Sequence, residues 1–346
     1  MNTHIHQYIE RKTAKVKTEN LFGDHIVRFI YSRVREDASV LFKALTSARM
    51  SQLLGYVNYD SVTISRLAGA KRFVEMSGVD LGECIDNPGT FKSLRDVFER
   101  RIRYWETRPM ADEDRTVVSP ADGKMLIGSF SETSLLFLKD KFFNYEELLG
   151  ESKKQWQNAF HEGNFAIVRL TPEKYHYNHM PVAGMVVDIY ELPGSYHPCN
   201  PTVTVTIATP CSKNKRVVTI IDTDVEGGTG VGLVAMIEIV ALMIGDIVQC
   251  YSSVRYENPV DIGKGMFLLK GQPKSLYRPG SSTDIVLFQK NRISFSDDLI
   301  RNMYRPGVHT RFTRGFIRPL VETEVNVRTT IGAAHDISCK GNIING

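Results

Sequence analysis

The sequence predicts an α+β fold. A helical N-terminal region, residues 1–114, is expected to pack on a β-rich, sandwich-like core, residues 115–346. Three observations carry this. Before residue 115 apolar residues recur at helical spacing. After it, short apolar runs of strand length alternate with turn residues. The 346-residue chain has 42% hydrophobic and 24% charged residues, an ordinary globular mixture without repeats or low-complexity tracts.

In chain order, Leu41, Leu45 and Ala48 follow i, i+4, i+7 spacing, and Leu53, Leu54 and Val57 extend the apolar content. Residues 61–76 read as a second helix with Ser61 as N-cap, and Ser93 to Tyr104 as a third. Strands are expected at Phe165–Leu170, Met185–Leu192, Thr202–Ala208, Arg216–Asp222 and Asp284–Gln289. Residues 202–207 alternate Thr with Val or Ile, the pattern of a half-buried strand. Val231–Gly245 is ambiguous, being long for a strand and β-branched for a helix. Pro193, Pro198, Pro201 and Pro210 mark loops, where a missing N–H costs little. The run Gly227–Gly232 has neither P-loop nor GxGxxG spacing and reads as a flexible turn.

The net charge of +4 is too small to argue for nucleic acid, although it suits an anionic membrane surface. Five scattered cysteines without a CxxC pair argue against a disulfide framework or zinc ribbon and for a reducing compartment. The first seventeen residues lack the apolar core of a signal peptide. The most apolar stretch, Val231–Gly245, is too short to span a bilayer and carries Glu238 at its middle. Residues 39–57 have two readings: a core-packing helix, the commoner use of such a pattern, or an interfacial helix with Lys43 and Arg49 beside its apolar face.

Three clusters could carry chemistry. His176 and His179, three apart, could share one face of a helical turn, which suits a metal or paired acid–base work. No third ligand stands at motif spacing (His161, His197 and Cys199 are the nearest in sequence), so no metal is expected. Ser119 to Gly123 contains Pro120 and Asp122-Gly123, which is turn chemistry and equally a way to hold a carboxylate against an imidazole N–H. Gly280, Ser281, Ser282 and Thr283 form a turn running into an apolar strand, where a serine nucleophile is reachable. Asp, His and Ser in that order are compatible with a triad, which only geometry can define.

Together and in this order, these segments resemble the phosphatidylserine decarboxylase family, over roughly residues 7–332. The resemblance looks most like the longer bacterial members with an N-terminal helical extension. Tyr8 to Thr13, Arg28 to Ser32, and Phe91 to Phe98 with Arg100, Arg101, Arg108 and Pro109 match its early segments. Ser119–Gly123 matches its Ser-Pro-Ala-Asp-Gly motif. Leu170 to Pro172 with Tyr175, His176, His179, Pro181 and Gly184 matches its His-x-x-His motif. Arg216–Ile221, Val234–Ile239 and Lys270-Gly271 also fit. One departure falls at the self-cleavage site. The family has Gly-Ser-Thr or Gly-Gly-Ser-Thr, and here Ser281 stands where Gly precedes the reactive serine. Counting back from Phe288 selects Ser282 as that serine, whereas a Gly-Ser bond would select Ser281. Ser at 281 removes backbone freedom that Gly would give.

The resemblance implies self-processing. Asp122 would orient His179, His179 would take the Ser282 proton, and the Ser282 oxygen would attack the Ser281 carbonyl. Residues 282–346 would then begin with a pyruvoyl group made from Ser282, the only cofactor implied. Its ketone would engage the substrate amine and serve as electron sink while CO₂ leaves. His176 or His179 would return a proton to the new carbanion. The implied partners are a phospholipid substrate and a membrane surface, contacted peripherally from the cytoplasmic side, where the helical region 1–114 and its residues 39–57 could dock; a homo-oligomer is compatible. Two alternatives differ in outcome: a decarboxylase of free aromatic amino acids on the same fold, and a non-cleaving binding-protein relative in which Ser281 blocks the reaction. A metal hydrolase built on His176 and His179 ranks behind both.

Overall fold

A computed structural model describes residues 5–19, 21, 74–75, 78–130, 144–197, 201, 209–241, 246–279, 282–312 and 319–335. The expected helices at 39–57 and most of 61–76, the expected strand Thr202–Ala208, and Ser281 lie outside these residues.

The core is β-rich, as the apolar runs after residue 115 predict. A ten-stranded sheet runs in the order β11 (Phe267–Leu268), β7 (Gly184–Leu192), β8 (Arg216–Asp222), β9 (Leu233–Val240), β13 (Ser282–Phe288), β5 (Asn164–Leu170), β4 (Gly123–Ser129), β15 (Glu322–Val325), β1 (Gln7–Glu10) and β2 (Lys15–Thr18). All its pairings are antiparallel except β1 with β15. One small sheet has the order β10 (Ile247–Gln249), β12 (Pro273–Tyr277), β6 (Tyr177–His179). The other has β14 (Ile293–Phe295), β16 (Thr330–Ala334), β3 (Thr116–Val118).

Val231–Gly245 resolves as strand β9 over residues 233–240. Its side chains are buried along nearly the whole strand, so both faces need apolar residues and the alternation that marks a half-exposed strand is lost. Strand β13, buried throughout, sits between β9 and β5. Ile167, Val218, Ile237, Ile285 and Leu287 are fully or almost fully buried in this region, each contributing about 1.5–3 kcal/mol of transfer free energy. Gly227, Gly230 and Gly232 adopt positive φ in the connection between β8 and β9.

At the start of the chain the described residues depart from expectation. Residues 7–10 and 15–18 are strands joined by a turn, not helix, and β1 pairs in parallel with β15 more than three hundred residues on. The sheet therefore draws on both sides of residue 115. A pairing over such separation leaves no local periodicity to read. The exposed Lys15 and Lys17 on edge strand β2 discourage further strand addition.

The expected helix from Ser93 to Tyr104 is two short helices, α1 (Leu94–Phe98) and α2 (Tyr104–Thr107). Ser93 caps α1 in a box: its Oγ accepts the Asp96 N–H, and Asp96 accepts the Ser93 N–H at 2.8 Å, together worth about 1 kcal/mol. The chain leaves the helix at Glu99 because Arg100 turns inward to donate to the carbonyls of Val97, Glu173 and Lys174, and Ile102 bridges to Cys84. The remaining helices are α3 (Tyr145–Leu149), α4 (Lys154–Ala159), α5 (Pro210–Lys213) and α6 (Asp297–Met303). Pro210 opens α5 at a position that has no N–H bond to lose. No helix among the described residues is long and apolar enough to cross a membrane.

Candidate active site

Ser282 opens β13, opposite Leu170 of β5 and Val240 of β9. Its side chain is fully buried, and Oγ has no hydrogen-bond partner among the described residues. Residues 278–281 connect it to β12, and Tyr277 fastens both ends of that connection. The Tyr277 N–H donates to the His176 carbonyl at 3.1 Å. The Tyr277 hydroxyl accepts the Ile239 N–H at 3.0 Å and lies 2.7 Å from Asp284 Oδ1 and 3.2 Å from the Thr283 carbonyl. One side chain thus holds the strand before the serine turn to the strand after it.

His176 and His179 do not share a helical face. His179 lies in strand β6 and His176 just before it, and three residues along a strand reverse the side-chain direction. Their surroundings differ accordingly. His176 stacks on Phe98 with ring centroids 3.5 Å apart, and neither ring nitrogen has a partner among the described residues. Burial, with the nearby Arg100, pushes its pKa well below the usual histidine value.

His179 stands in a cage of tyrosines. Nδ1 is 2.8 Å from the Gly271 carbonyl and Nε2 is 2.9 Å from the Tyr175 hydroxyl. A carbonyl only accepts, so Nδ1 carries the proton and Nε2 offers its lone pair to the Tyr175 O–H. The Tyr175 hydroxyl is in turn 2.6 Å from that of Tyr256, and the Tyr104 ring stands edge-on to the imidazole at 4.6 Å. Burial pushes the His179 pKa down to about 3, with Arg328 and Arg108 adding to the effect and the Gly271 carbonyl opposing it. His179 is a neutral imidazole at pH 7.

Asp122 and His179 are neighbours through the backbone: the His179 N–H donates to the Pro120 carbonyl at 2.7 Å. The expected hydrogen bond between their side chains is absent. Both carboxylate oxygens of Asp122 engage Arg108, the closest contact being 2.8 Å, and Oδ1 also accepts the Val327 N–H at 2.7 Å. A buried carboxylate takes a guanidinium and a backbone N–H in preference to a neutral ring already bonded at both nitrogens. Burial opposes ionisation of Asp122, but Arg108 and the Val327 N–H hold its pKa below the usual range. Arg108 also pairs with Glu83 at 2.8 Å.

Behind Ser282 lies a polar cluster that sequence reasoning missed. Asp284, two residues along β13 and so on the face of Ser282, stands directly opposite Glu238 of β9. Glu238 pairs with Lys274 at 2.6 Å, both fully buried, and Asn178, Ser275 and Gln249 complete its hydrogen bonds. Burial, and then the facing Glu238, raise the Asp284 pKa well above the carboxylate range. The signal available was the charge itself, Glu238 and Asp284 being single acids in otherwise apolar runs. Lys274 gave no such signal.

His6, Glu19 and Glu322 lie close enough to frame a cation. Arg169 supplies the charge there, bonding Glu322 at 2.7 Å and Glu19 at 2.7 Å. Cys84 and Cys250 are free thiols.

A model of the phosphatidylserine decarboxylase family matches residues 94–311. A phosphatidylserine decarboxylase proenzyme of Fusobacterium nucleatum is 30% identical over 323 residues, covering 91% of this chain and 97% of the relative. One from Chlamydia trachomatis serovar D is 31% identical over 311 residues, covering 89% and 95%. One from Clostridium tetani is 26% identical over 297 residues, covering 85% and 91%.

Proposed function

The chain belongs to the phosphatidylserine decarboxylase family, and from that premise we propose that it cleaves itself at Ser282 and then decarboxylates phosphatidylserine to phosphatidylethanolamine. The observation that carries the site assignment is the Ser282 hydroxyl, fully buried and without a partner among the described residues at the head of β13. A buried hydroxyl with no acceptor is unfavourable in a resting fold and fits an atom destined to be consumed.

In self-processing His179 is the base. Its Nε2 lone pair leaves the Tyr175 hydroxyl and takes the Ser282 proton. The Ser282 oxygen bonds to the Ser281 carbonyl carbon, the C–N bond breaks, and the amine keeps the returned proton, leaving an ester. Loss of the Ser282 Cα proton then expels the ester oxygen. Residues 1–281 leave as an ordinary carboxylate. The dehydrated residue 282 takes up water and releases ammonia to give the pyruvoyl group. Asp122 acts by position: with Arg108 it fixes the turn whose Pro120 carbonyl holds the His179 backbone.

The pyruvoyl group supplies the electron sink for loss of CO₂. The burial of Ser282, His176 and His179 excludes water and favours a reaction that disperses charge. His176 returns the proton to the carbon that loses CO₂, its unpartnered ring nitrogens leaving it unoccupied by structural bonds among the described residues. A membrane is the source of substrate, contacted peripherally at its cytoplasmic face. Val260 and Leu269 support this, being 48% and 42% exposed where both bond to Tyr251, and Val254 is 55% exposed in the loop that joins Tyr251 to Val260.

The test is the purified protein assayed with phosphatidylserine in detergent micelles, reading CO₂ and phosphatidylethanolamine, against free tryptophan. Release of CO₂ from the lipid alone is expected. Release from tryptophan alone would move the substrate to an aromatic amino acid, and release from neither would favour a binding-protein role.

A further inference from the structure

We propose that Arg328 binds the phosphodiester of the substrate headgroup and so selects a phospholipid over a free amino acid. The inference rests on the decarboxylase reading above and assigns a residue that the sequence did not single out.

Arg328 lies between β15 and β16 with φ +69°, a left-handed backbone uncommon for a long side chain. The loop is forced into it from both sides. The Arg328 N–H donates to the Ser119 carbonyl at 3.0 Å, Ser119 N–H donates to Thr329 at 2.8 Å, and Asp122 takes the adjoining Val327 N–H. The turn expected to serve His179 therefore also aims Arg328. Such backbone strain, held by its surroundings, tends to mark working positions.

The guanidinium has little structural employment. It lies over the Tyr104 ring, 4.8 Å from the centroid, and Nη1 donates to the Tyr104 carbonyl at 3.1 Å. Nε is buried without an acceptor, and no carboxylate reaches ion-pair distance among the described residues. Arg108 and Arg169, by contrast, each hold two carboxylates. Arg328 is also beside the reactive imidazole. A methyl built on Gly271 would come within 3.2 Å of its Nε, and the Gly271 carbonyl anchors His179. A second arginine without a carboxylate among the described residues, Arg255, lies 4.0 Å over Trp105, whose ring meets Tyr104 edge-on at 5.3 Å. Two cations on one aromatic pair, with Tyr104 of that pair edge-on to His179, suit an anion.

The chemistry chooses which anion. The substrate carboxylate leaves as neutral CO₂, so a cation held against it would stabilise the ground state more than the transition state and slow the reaction. The phosphodiester keeps its charge throughout. Binding it adds affinity without opposing the chemistry, and the planar guanidinium matches its two free oxygens.

Arg328→Gly tests this, because glycine accepts the φ of residue 328 and only the side chain is lost. Three readouts are taken on wild type, Arg328→Gly and Arg328→Lys: intact mass, calorimetric binding of sn-glycero-3-phosphoethanolamine and of ethanolamine, and KM and kcat on phosphatidylserine micelles. Arg328→Gly is expected to cleave into two fragments and to lose roughly ten- to a hundredfold in phosphodiester affinity. Ethanolamine binding should stay the same, KM should rise in parallel, and Arg328→Lys should recover part of the loss. Unchanged phosphodiester affinity, an equal loss for ethanolamine, no phosphodiester binding by the wild type, or an uncleaved Arg328→Gly chain would each overturn the assignment. A wild type that binds the phosphodiester through Arg328 yet releases no CO₂ from the lipid would count against the decarboxylase reading and leave the anion site standing.

Discussion

The hydroxyl of Tyr175 lies 2.9 Å from Nε2 of His179, occupying the one ring nitrogen that has a lone pair to offer. A donor on that nitrogen stabilises the unprotonated ring, so Tyr175 restrains the base as well as placing it. Tyr175→Phe is expected to process at least as fast as wild type, and His179→Ala not at all, in a time course of fragment appearance on a denaturing gel. Slower processing by Tyr175→Phe would mean that orientation outweighs restraint.

The partnership of Asp122 with Arg108 predicts a stability effect where a direct bond to His179 would predict only a catalytic one. Arg108→Ala leaves the carboxylates of Asp122 and Glu83 buried without their cation. It should destabilise the fold by about 3–5 kcal/mol, read by urea unfolding. A loss under 1 kcal/mol would show that water reaches the pair.

The bond that breaks is open to direct measurement. Intact mass should give fragments 1–281 and 282–346, the smaller about a fifth of the 39.1 kDa chain. Ser282→Ala should remain a single chain and Ser281→Ala should still cleave. Cleavage of Ser282→Ala would transfer the role to Ser281.

Two buried neutral histidines make stability depend on pH. The folded pKa of His179 is about 3 and that of His176 is well below its usual value, so the unfolded chain binds protons first as pH falls below about 6.5. Asp284 acts in the opposite sense, since its raised pKa lets the folded state hold a proton that the unfolded state has released. As the pH falls from 6.5 to 5 the two histidines increasingly outweigh Asp284, and the loss of stability steepens towards about 1.4 kcal/mol per pH unit. His176→Phe should flatten this slope in urea unfolding at several pH values. An unchanged slope would show that His176 does not titrate in that window.

Arg169 joins Glu19, beyond the N-terminal hairpin, to Glu322 at the start of β15. Arg169→Met should cost about 3–5 kcal/mol by the same urea measurement, because Glu19 and Glu322 lose the guanidinium that bonds both, and Lys124, 3.6 Å from Glu19, remains for only one of them. Loss of the parallel β1–β15 pairing should follow, seen as faster amide exchange of Tyr8 and Ile9.

Much of the strand content was legible locally. Arg216–Asp222 runs between the residues expected, and Phe165–Leu170 and Met185–Leu192 each begin one residue early, since alternation and turn residues are properties of neighbours in sequence. The helix from Ser93 was legible at its start, where capping is local, and misread at its end, where Arg100 reaches across to Glu173 and Lys174. Glu238 stood out as a charge in an apolar run, but its partner Lys274 did not.

The sequence by itself determined the chemical inventory and its order: Asp122 in a turn, His176 and His179 three apart, Ser282 before an apolar strand, and the family these motifs mark. The tertiary structure alone decided the pairings. It gave Asp122 to Arg108 and Val327, His179 to Tyr175 and Gly271, and the two sides of the serine turn to Tyr277. It also set Arg328 beside Gly271 and Tyr104. These partners meet because antiparallel registers and one parallel pairing bring distant segments together. A buried polar atom bonds whichever group that arrangement presents, and no periodicity along the chain records the choice.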